Sequence, residues 1–276
     1  MGEFKLGFIG GGNMSTAIFK GVLKSGVQSA SDIWVSGPHI ENLQHWSDMG
    51  ANVTTNNKTV FMNCDMIFLG IKVTKLSEVF QSIQHPTQLK KEVLFVSMLP
   101  GILINDLHKM IKYSLPLVKT TVLRIMPNTP TTIGAGICLY TPDNEVSVEQ
   151  CSRFKKLLSG SALCEEIPEY LMDALGALTA CAPAYMYVVI EALADGAVKQ
   201  GVPRATAMRL AAQMVVGSGQ MVLQSGKHPG LLKDEVCSPG GSTIAGIAAL
   251  ENGNLRATLI NAIEASTIRN KELGNK

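Results

Sequence analysis

The sequence predicts an α/β fold in which a doubly wound parallel sheet over residues 1–167 is followed by an all-α domain over residues 168–276. Three observations carry this prediction. Short β-rich runs alternate with helical patterns up to residue 166, which is typical of a parallel sheet covered by helices on both faces. A glycine-rich turn, Gly10-Gly11-Gly12, directly follows the first of these runs. Beyond Ile167-Pro168 the strand patterns stop and only helical periodicity continues.

Local patterns, taken in chain order, define the elements of the first domain. The run MIFLGI over residues 66–71, for example, is apolar throughout, as expected of a strand buried on both faces of a sheet. Strands are predicted over residues 5–9, 32–36, 51–54, 66–71, 93–97, 118–125, 136–140 and 162–166. Helices are predicted over residues 17–23, 40–49, 58–62, 75–83, 104–111 and 147–158.

Proline and glycine divide the second domain into helices. A long helical pattern over residues 169–200 is interrupted at Pro183 and stopped by Gly201. Pro203 suits the first position of the next helix, which runs to about residue 224. Three further helices are predicted over residues 231–236, 242–252 and 255–272.

Two stretches of the second domain, residues 174–190 and 210–226, carry no charged side chain. A helix without a polar face is buried either in a membrane or between subunits. Pro183 in the first stretch and several Gln, Gly and Ser residues in the second argue against a membrane span. We therefore expect these helices to be covered by a second copy of the chain.

The glycine-rich turn has the spacing of a dinucleotide-binding site. Gly10, Gly12 and Ser15 occupy the small-residue positions of the pattern G-x-G-x-x-G, although Ser replaces the usual third glycine or alanine. In such turns the first glycine makes the tight bend, and the second leaves space for a pyrophosphate that lies on the helix N-terminus. An ordinary turn between a strand and a helix is the alternative. The position after an N-terminal strand favours a Rossmann-type cofactor site.

The end of the second predicted strand bears on the choice of cofactor. In NAD-specific sites an acidic residue at this place binds the ribose 2′-hydroxyl. Here the strand ends in Ser36-Gly37-Pro38-His39, and no carboxylate occurs before Glu41. A hydroxyl can bind a 2′-phosphate and does not repel it, so NADP(H) is expected to be preferred, with NAD(H) also possible.

Ligands of parallel sheets bind in the loops at the carboxyl ends of the strands. The cofactor-binding residues predicted in and near these loops are Ile9, Gly10, Gly11, Gly12, Asn13, Met14, Ser36, Pro38, Asn57, Ile71, Lys72 and Asn128. For Asn128, stabilisation of its own turn is an equally open alternative.

A second glycine-rich stretch, Pro239-Gly240-Gly241, separates two helical patterns of the second domain. Ser242 and Thr243 follow it where a new helix begins. The free N–H groups and the positive dipole end of such a helix can hold a small carboxylate or phosphate. The alternative is an ordinary loop with a Ser or Thr cap. The predicted substrate-binding residues are Ser238, Gly240, Gly241, Ser242 and Thr243.

Composition excludes several classes of protein. The chain is 46% apolar and 17% charged with a net charge of +2, so it is globular, and its scattered basic residues do not indicate nucleic-acid binding. Its six cysteines form no CxxC pair, which argues against a zinc site or a disulfide framework. Free thiols, and a first strand that begins at about Lys5, lead us to expect a cytoplasmic protein, with a mitochondrial association left open.

Together these residues resemble the pyrroline-5-carboxylate reductase family along nearly the whole chain. The most specific part is the run from His228-Pro229-Gly230 through CSPGGSTIAGI to Leu255-Arg256. Further likeness lies in Gly7-Phe8-Ile9-Gly10, Met126-Pro127-Asn128-Thr129-Pro130, Pro183-Ala184-Tyr185 and residues 191–196. The chain departs from the family at Val73, where proline is common after the lysine, and at Met98-Leu99-Pro100, where a small, Ala-rich turn is common.

The resemblance implies the last step of proline biosynthesis, hydride transfer from NAD(P)H to the C=N bond of 1-pyrroline-5-carboxylate to give L-proline. The amides of the 239–243 loop would hold the substrate carboxylate. The Thr243 hydroxyl would bond the ring nitrogen, which makes Thr243 the predicted catalytic residue. The resemblance also implies a homodimer built by exchanging the helical domains, often assembled further into decamers. Each site would then combine the dinucleotide domain of one subunit with the helical loop of its partner.

Two other functions stay open at this stage. A β-hydroxyacid dehydrogenase would share the sheet and the helical domain but typically needs a Lys or His base on a core helix, and residues 174–190 contain neither. A non-catalytic NADP(H)-sensing protein would not need the second anion-binding loop. Both are therefore weaker interpretations than the reductase.

Overall fold

The computed structural model describes residues 4–83 and 92–274. Its strands are β1 (Leu6–Ile9), β2 (Ile33–Ser36), β3 (Asn52–Thr54), β4 (Met66–Leu69), β5 (Glu92–Ser97), β6 (Lys119–Pro127), β7 (Gly136–Pro142) and β8 (Ala162–Glu166). The helices among the strands are α1 (Asn13–Ser25), α2 (Gln44–Asp48), α3 (Asn57–Asn63), α4 (Leu76–Ile83), α5 (Ile104–Ser114) and α6 (Val148–Leu158). The helices after the last strand are α7 (Met172–Gly176), α8 (Ala182–Lys199), α9 (Arg204–Ser225), α10 (Pro229–Val236), α11 (Ser242–Asn252) and α12 (Leu255–Gly274).

The eight strands form one sheet in the order β3-β2-β1-β4-β5-β6-β7-β8. The first strand lies inside the sheet, with β2 on one side and β4 on the other, both parallel to it. Ile9 pairs with Ser36 and with Leu69, so β1, β2 and β4 end at the same edge. The strand order reverses between β1 and β4, and such a reversal opens a crevice at the carboxyl ends of the strands. The doubly wound fold is confirmed.

One strand breaks the predicted parallel arrangement. Strand β7 runs antiparallel to β6, with Ile125 paired to Tyr140, and β8 is parallel to β7. The connection from β6 to β7 contains only a short 3₁₀ turn, Thr129–Ile133. A parallel return needs a crossover of a dozen or more residues, so this connection forces the strand to turn back. The sheet is therefore predominantly parallel, as predicted, and the pairing of β6 with β7 departs from that arrangement.

The core lies on both faces of the sheet because successive strand residues point to opposite sides. Phe8 and Phe68 stack at 4.9 Å between ring centroids, and they share one face with residues of α1 and α6. Ile67 and Leu69 lie on the other face with α3, α4 and α5. Each fully buried side chain of this kind contributes about 1.5–3 kcal/mol, which makes the sheet a rigid base for the loops at its edge.

By packing, the chain forms two compact units. One contains the described residues up to Ala180 and those from Ser266 onward, and the other contains Cys181–Ala265. Strand structure ends at Glu166, but residues 168–180 and the end of α12 pack with the sheet. The domain boundary at residue 167 stays a prediction.

The second unit has a small core of its own. Ala194 of α8 packs against Ala207 and Ala211 of α9, where small side chains let the two helices approach closely. The helical stretch Glu169–Lys199 is long and apolar enough to cross a membrane by length and composition, and only 17% of its apolar window is buried in the chain. A helix covered by a second subunit shows the same length, composition and exposure.

Candidate functional site

A cavity of about 560 Å³ lies at the carboxyl ends of β1, β2 and β4. It gathers nine residues of the predicted cofactor site, Ile9, Gly10, Gly11, Gly12, Ser36, Pro38, Asn57, Ile71 and Lys72. Asn13 and Met14 are not among its lining residues, but they form the start of α1. The topology therefore brings together loops that are far apart in the sequence.

The glycine turn has the geometry that a dinucleotide needs. Gly10 has a φ of 97°, and a Cβ atom there would lie 2.3 Å from the carbonyl oxygen of Gly70. Gly12 has nothing within 4 Å of its Cβ position, so that side of the turn is open space. It is also the N-cap of α1 and makes no side-chain capping bond. The first N–H groups of the helix are thus left for an anion, and a pyrophosphate fits this turn.

Ser36 lines the cavity but its hydroxyl is already engaged. The residue is fully buried, and its Oγ donates to Oδ1 of Asn57 at 2.8 Å. Asn57 in turn donates from Nδ2 to Oγ of Ser82 at 3.0 Å, and Ser82 donates to the carbonyl of Val79 at 2.6 Å. These bonds form a polar floor that fixes the Asn57 side chain. The Ser36 oxygen can still accept a hydrogen bond, whereas donors to a phosphate must come from other residues.

Sequence reasoning missed several residues of this cavity. Gly37, His39 and Gly70 lie in the strand-end loops 36–39 and 70–73, where the sequence predicts ligand binding, but the other lining residues were not expected: Asn42, Leu43, Thr55, Lys75, Glu78, Val79 and Ser82. Two of them are charged partners, because Nζ of Lys75 lies 2.6 Å from Oε2 of Glu78. Thr55 follows the end of β3, a signal of the kind that identified the other loops. Lys75 and Glu78 flank the start of α4, where the sequence carries no motif.

Asn128 lies outside this cavity in a buried position, 5% exposed. Its Oδ1 accepts the backbone N–H of Ile137 at 2.9 Å, and its Nδ2 donates to the carbonyl of Thr179 at 2.9 Å. The side-chain amide is therefore held by the backbone on both sides. Such contacts are expected if Asn128 stabilises its own turn, the alternative to cofactor binding that the sequence left open.

The second predicted loop joins α10 to α11. Gly240 has a φ of 65°, in the region that favours glycine, and a Cβ atom on Gly241 would lie 2.4 Å from Oγ of Ser238. Gly241 is the N-cap of α11 and makes no side-chain capping bond. Ser242 and Thr243 are the first two residues of the helix, as predicted.

Thr243 is therefore not the cap of its helix. It is half-buried, and its hydroxyl has no hydrogen-bond partner within the part of the chain that the structure describes. The N–H groups of the first turn of α11 also lack intrahelical partners. Backbone donors and a hydroxyl thus lie side by side, an arrangement that can hold a carboxylate and a neighbouring nitrogen.

Three groups with displaced pKa values lie on the last two strands of the sheet. Burial raises the pKa of Cys138 on β7, while a hydrogen bond with Cys138 lowers the pKa of Cys164 on β8. Burial, together with the hydrogen bond to Glu166, raises the pKa of Tyr140. None of these residues lines the cavity or belongs to the 238–243 loop. Their pKa shifts reflect packing of the sheet rather than acid–base chemistry at either place.

Two family models match different parts of the chain. Residues 169–273 match the family model described as pyrroline-5-carboxylate reductase dimerisation. Residues 5–101 match the model described as NADP oxidoreductase, coenzyme F420-dependent. The first match contains the 238–243 loop, and the second contains the glycine turn.

Relatives extend over nearly the whole length. The chain is 40% identical to pyrroline-5-carboxylate reductase 3 of Danio rerio, over 99% of this chain and 93% of that protein. It is also similar to the pyrroline carboxylate reductase of Plasmodium falciparum with NADP bound, with a TM-score of 0.85, 29% identity and 99% of each chain covered.

The pyrroline-5-carboxylate reductase of Coxiella burnetii is similar as well, with a TM-score of 0.87, 28% identity and 99% of each chain covered. The identity to the Danio rerio protein, sustained over the full length, carries the assignment. The chain belongs to the pyrroline-5-carboxylate reductase family, the NAD(P)H-dependent oxidoreductases that complete proline biosynthesis.

Proposed function

We propose that this reductase uses NADPH in preference to NADH and that the 238–243 loop binds the 1-pyrroline-5-carboxylate that it converts to L-proline. The observation that carries the first part is the end of β2, where Ser36, Gly37, Pro38 and His39 line the cavity without a carboxylate. Lys72 lines the same cavity and can attract a 2′-phosphate, whereas the charge of Lys75 is paired with that of Glu78. The relative from Plasmodium falciparum has NADP bound, which also supports this preference.

The chain's own residues supply position and electrostatics. A bound NADPH provides the hydride that reduces the imine carbon. The open turn at Gly12 and the first N–H groups of α1 hold the cofactor pyrophosphate. The first N–H groups of α11 hold the substrate carboxylate, and the Thr243 hydroxyl bonds the ring nitrogen. A cyclic imine is readily protonated in water, so the chain needs no strong acid at this nitrogen.

The cofactor preference is tested by adding a carboxylate beside the expected 2′-phosphate. Ser36→Asp is expected to lower the ratio of kcat/KM for NADPH to that for NADH by about tenfold or more, because like charges a few ångströms apart repel. Since Ser36 is buried, His39→Asp provides the same charge at an exposed residue of the cavity wall. Ser31→Asp, exposed before β2 and outside the cavity, is the matched control. If the ratio of the two kcat/KM values is unchanged in both cavity variants, the end of β2 does not bind the cofactor's 2′-phosphate.

For the whole protein we propose a homodimer, assembled further into a decamer, in the cytoplasm. The match of residues 169–273 to a dimerisation family supports the dimer. The exposed apolar residues of α9, among them Leu210, Met214 and Leu223, support burial against a second copy rather than in a membrane. The free thiols of Cys138, Cys151, Cys164, Cys181 and Cys237 support a reducing compartment.

A further inference from the structure

One side of strand β6 holds the segment through which the chain leaves the sheet. Arg124, Met126 and Asn128 alternate along the strand and just beyond its end, so they point to the same side. Nη1 of Arg124 lies 3.0 Å from Oε1 of Glu169. The sulfur of Met126 lies so close to Gly176 that a Cβ atom there would approach it to 2.2 Å. Asn128 completes the series with its bond to the carbonyl of Thr179.

The hydrogen bond from Asn128 to Thr179 replaces one that the helical segment cannot form by itself. In an α-helix the carbonyl of residue 179 would accept the N–H of residue 183, but Pro183 has no N–H. The backbone around Thr179 forms a π-helix, Ala177–Cys181, rather than a regular α-helix. Thr179 is only 9% exposed, so an unpaired carbonyl there would be costly. Nδ2 of Asn128 supplies the missing donor at 2.9 Å.

The donor is itself fixed in place. Oδ1 of Asn128 accepts the N–H of Ile137, while the backbone N–H of Asn128 donates to the Ile137 carbonyl at 3.1 Å. The side-chain amide therefore continues the pairing of β6 with β7 and cannot turn without breaking it. A rigid chain of bonds runs from the sheet edge to the π-helix.

This chain of bonds ends where the first compact unit ends. The chain enters the second compact unit at Cys181, two residues after Thr179. The residues assigned to the cofactor lie in the first unit, and those of the 238–243 loop lie in the second. Single-turn π-helices are frequent at functional positions. Within the first unit, β6 ends at the same edge of the sheet as β1 and β4, where the cofactor cavity lies. Hydride transfer is sensitive to misplacement of about 1 Å, so the end of β6 and the turn that Asn128 contacts have to be well defined.

We propose that Asn128 is a positioning residue that supports hydride transfer by pairing the carbonyl that Pro183 leaves open, and that it does not bind the cofactor. The inference rests on the proposed roles of the glycine turn and the 238–243 loop. It predicts that loss of this one bond lowers turnover while the affinity for NADPH is kept.

Asn128→Asp tests the bond selectively. The Asp carboxylate can still accept the N–H of Ile137, but it cannot donate to Thr179 and sets an oxygen against the carbonyl. We expect kcat with 1-pyrroline-5-carboxylate to fall by about tenfold or more. The Kd for NADPH, measured by fluorescence titration, is expected to stay within about twofold of the wild-type value, well below the tenfold that 1.4 kcal/mol would produce. The wild-type rate is measured in parallel, so failure of the reaction itself is separated from failure of this inference.

A second variant tests whether Asn128 acts through the Thr179 carbonyl, which Pro183 leaves without a helical donor. Pro183→Ala restores an N–H at residue 183, so Asn128→Asp combined with Pro183→Ala is expected to recover part of the lost kcat. Pro183→Ala alone completes the double-mutant cycle. The matched control is Asn63→Asp, because Nδ2 of Asn63 donates to the carbonyl of Thr59 at 2.8 Å, outside the proposed site. That change is expected to leave kcat unaltered.

Three results would overturn the inference. A raised Kd for NADPH with normal kcat would make Asn128 a cofactor ligand. A lower melting temperature with normal kcat would make its role purely structural. If Asn128→Asp does not fold, the combined variant decides, because folding and activity restored by Pro183→Ala support the inference and continued failure contradicts it.

Discussion

At the scale of single residues, a Thr243 variant distinguishes a role in substrate binding from a role in stabilising helix α11. Gly241 is the cap of α11, and Thr243 makes no capping bond there. We therefore expect Thr243→Val to lower kcat/KM for the imine while the melting temperature changes little. Val keeps the β-branched shape and removes only the hydroxyl. Loss of a bond worth roughly 1–3 kcal/mol corresponds to about 5- to 150-fold in kcat/KM.

The control for this change is Thr206→Val. Thr206 is half-buried in the first turn of α9, in the same compact unit but outside the 238–243 loop. Its kcat/KM is expected to match the wild-type value. A Thr243→Val enzyme with reduced stability and normal kcat/KM would remove Thr243 from the active site.

The two polar residues at strand ends show what sequence could and could not predict at this scale. The pattern placed Ser36 and Asn128 correctly at the carboxyl edge of the sheet, because strand ends can be predicted from local sequence. Their partners could not be predicted, since Asn57 and Thr179 come from distant parts of the chain. A lone Ser or Asn in a loop carries no signal that its side chain is already engaged.

At the scale of elements, the pair formed by Arg124 and Glu169 fastens helix α5 to the sheet. The Arg124 side chain is 4% exposed, and Oε1 of Glu169 accepts from it and from the N–H of Ile104 at 2.9 Å. Glu169→Ala leaves a buried guanidinium without its partner and opens the start of α5. We expect the free energy of unfolding, measured in urea, to fall by about 3 kcal/mol.

A double variant and a control test whether the loss of stability comes from the unpaired buried charge. Arg124→Met combined with Glu169→Leu removes both charges and is expected to recover most of the lost stability, because no buried charge is left unpaired. Glu149→Ala, which breaks an exposed pair with Arg153, is the control and is expected to change stability little. A Glu169→Ala protein as stable as the wild type would show that this pair does not fasten α5.

The direction of β7 shows the limit of pattern reasoning at this scale. Alternation of strands and helices predicted the parallel part of the sheet, because each parallel return needs a helix. Between β6 and β7 the chain has no such helix, and β7 turns back antiparallel. The interruption at Pro183 was visible in the sequence, but the π-helix before it depends on packing against β6 and could not be derived from periodicity.

At the scale of the whole molecule, the helical unit exposes more apolar surface than a monomer keeps in water. Val188, Leu210, Val216 and Leu223 are each at least half exposed on α8 and α9. We expect sedimentation to give a dimer at micromolar concentration. Val216→Lys combined with Leu223→Lys is expected to weaken the dimer. Lys109→Glu, at an exposed position of α5 in the sheet unit, serves as the charge-changing control. A stable wild-type monomer would contradict this prediction.

The most direct test of the account is oxidation of NADPH by the purified protein with 1-pyrroline-5-carboxylate as substrate. The glycine turn and the 238–243 loop together predict NADPH loss and L-proline formation in equal amounts, and no NADPH loss without the imine. The comparison reaction supplies NADP⁺ and a linear β-hydroxyacid. Turnover in the comparison reaction and none with the imine would contradict the assignment of these two loops to imine reduction.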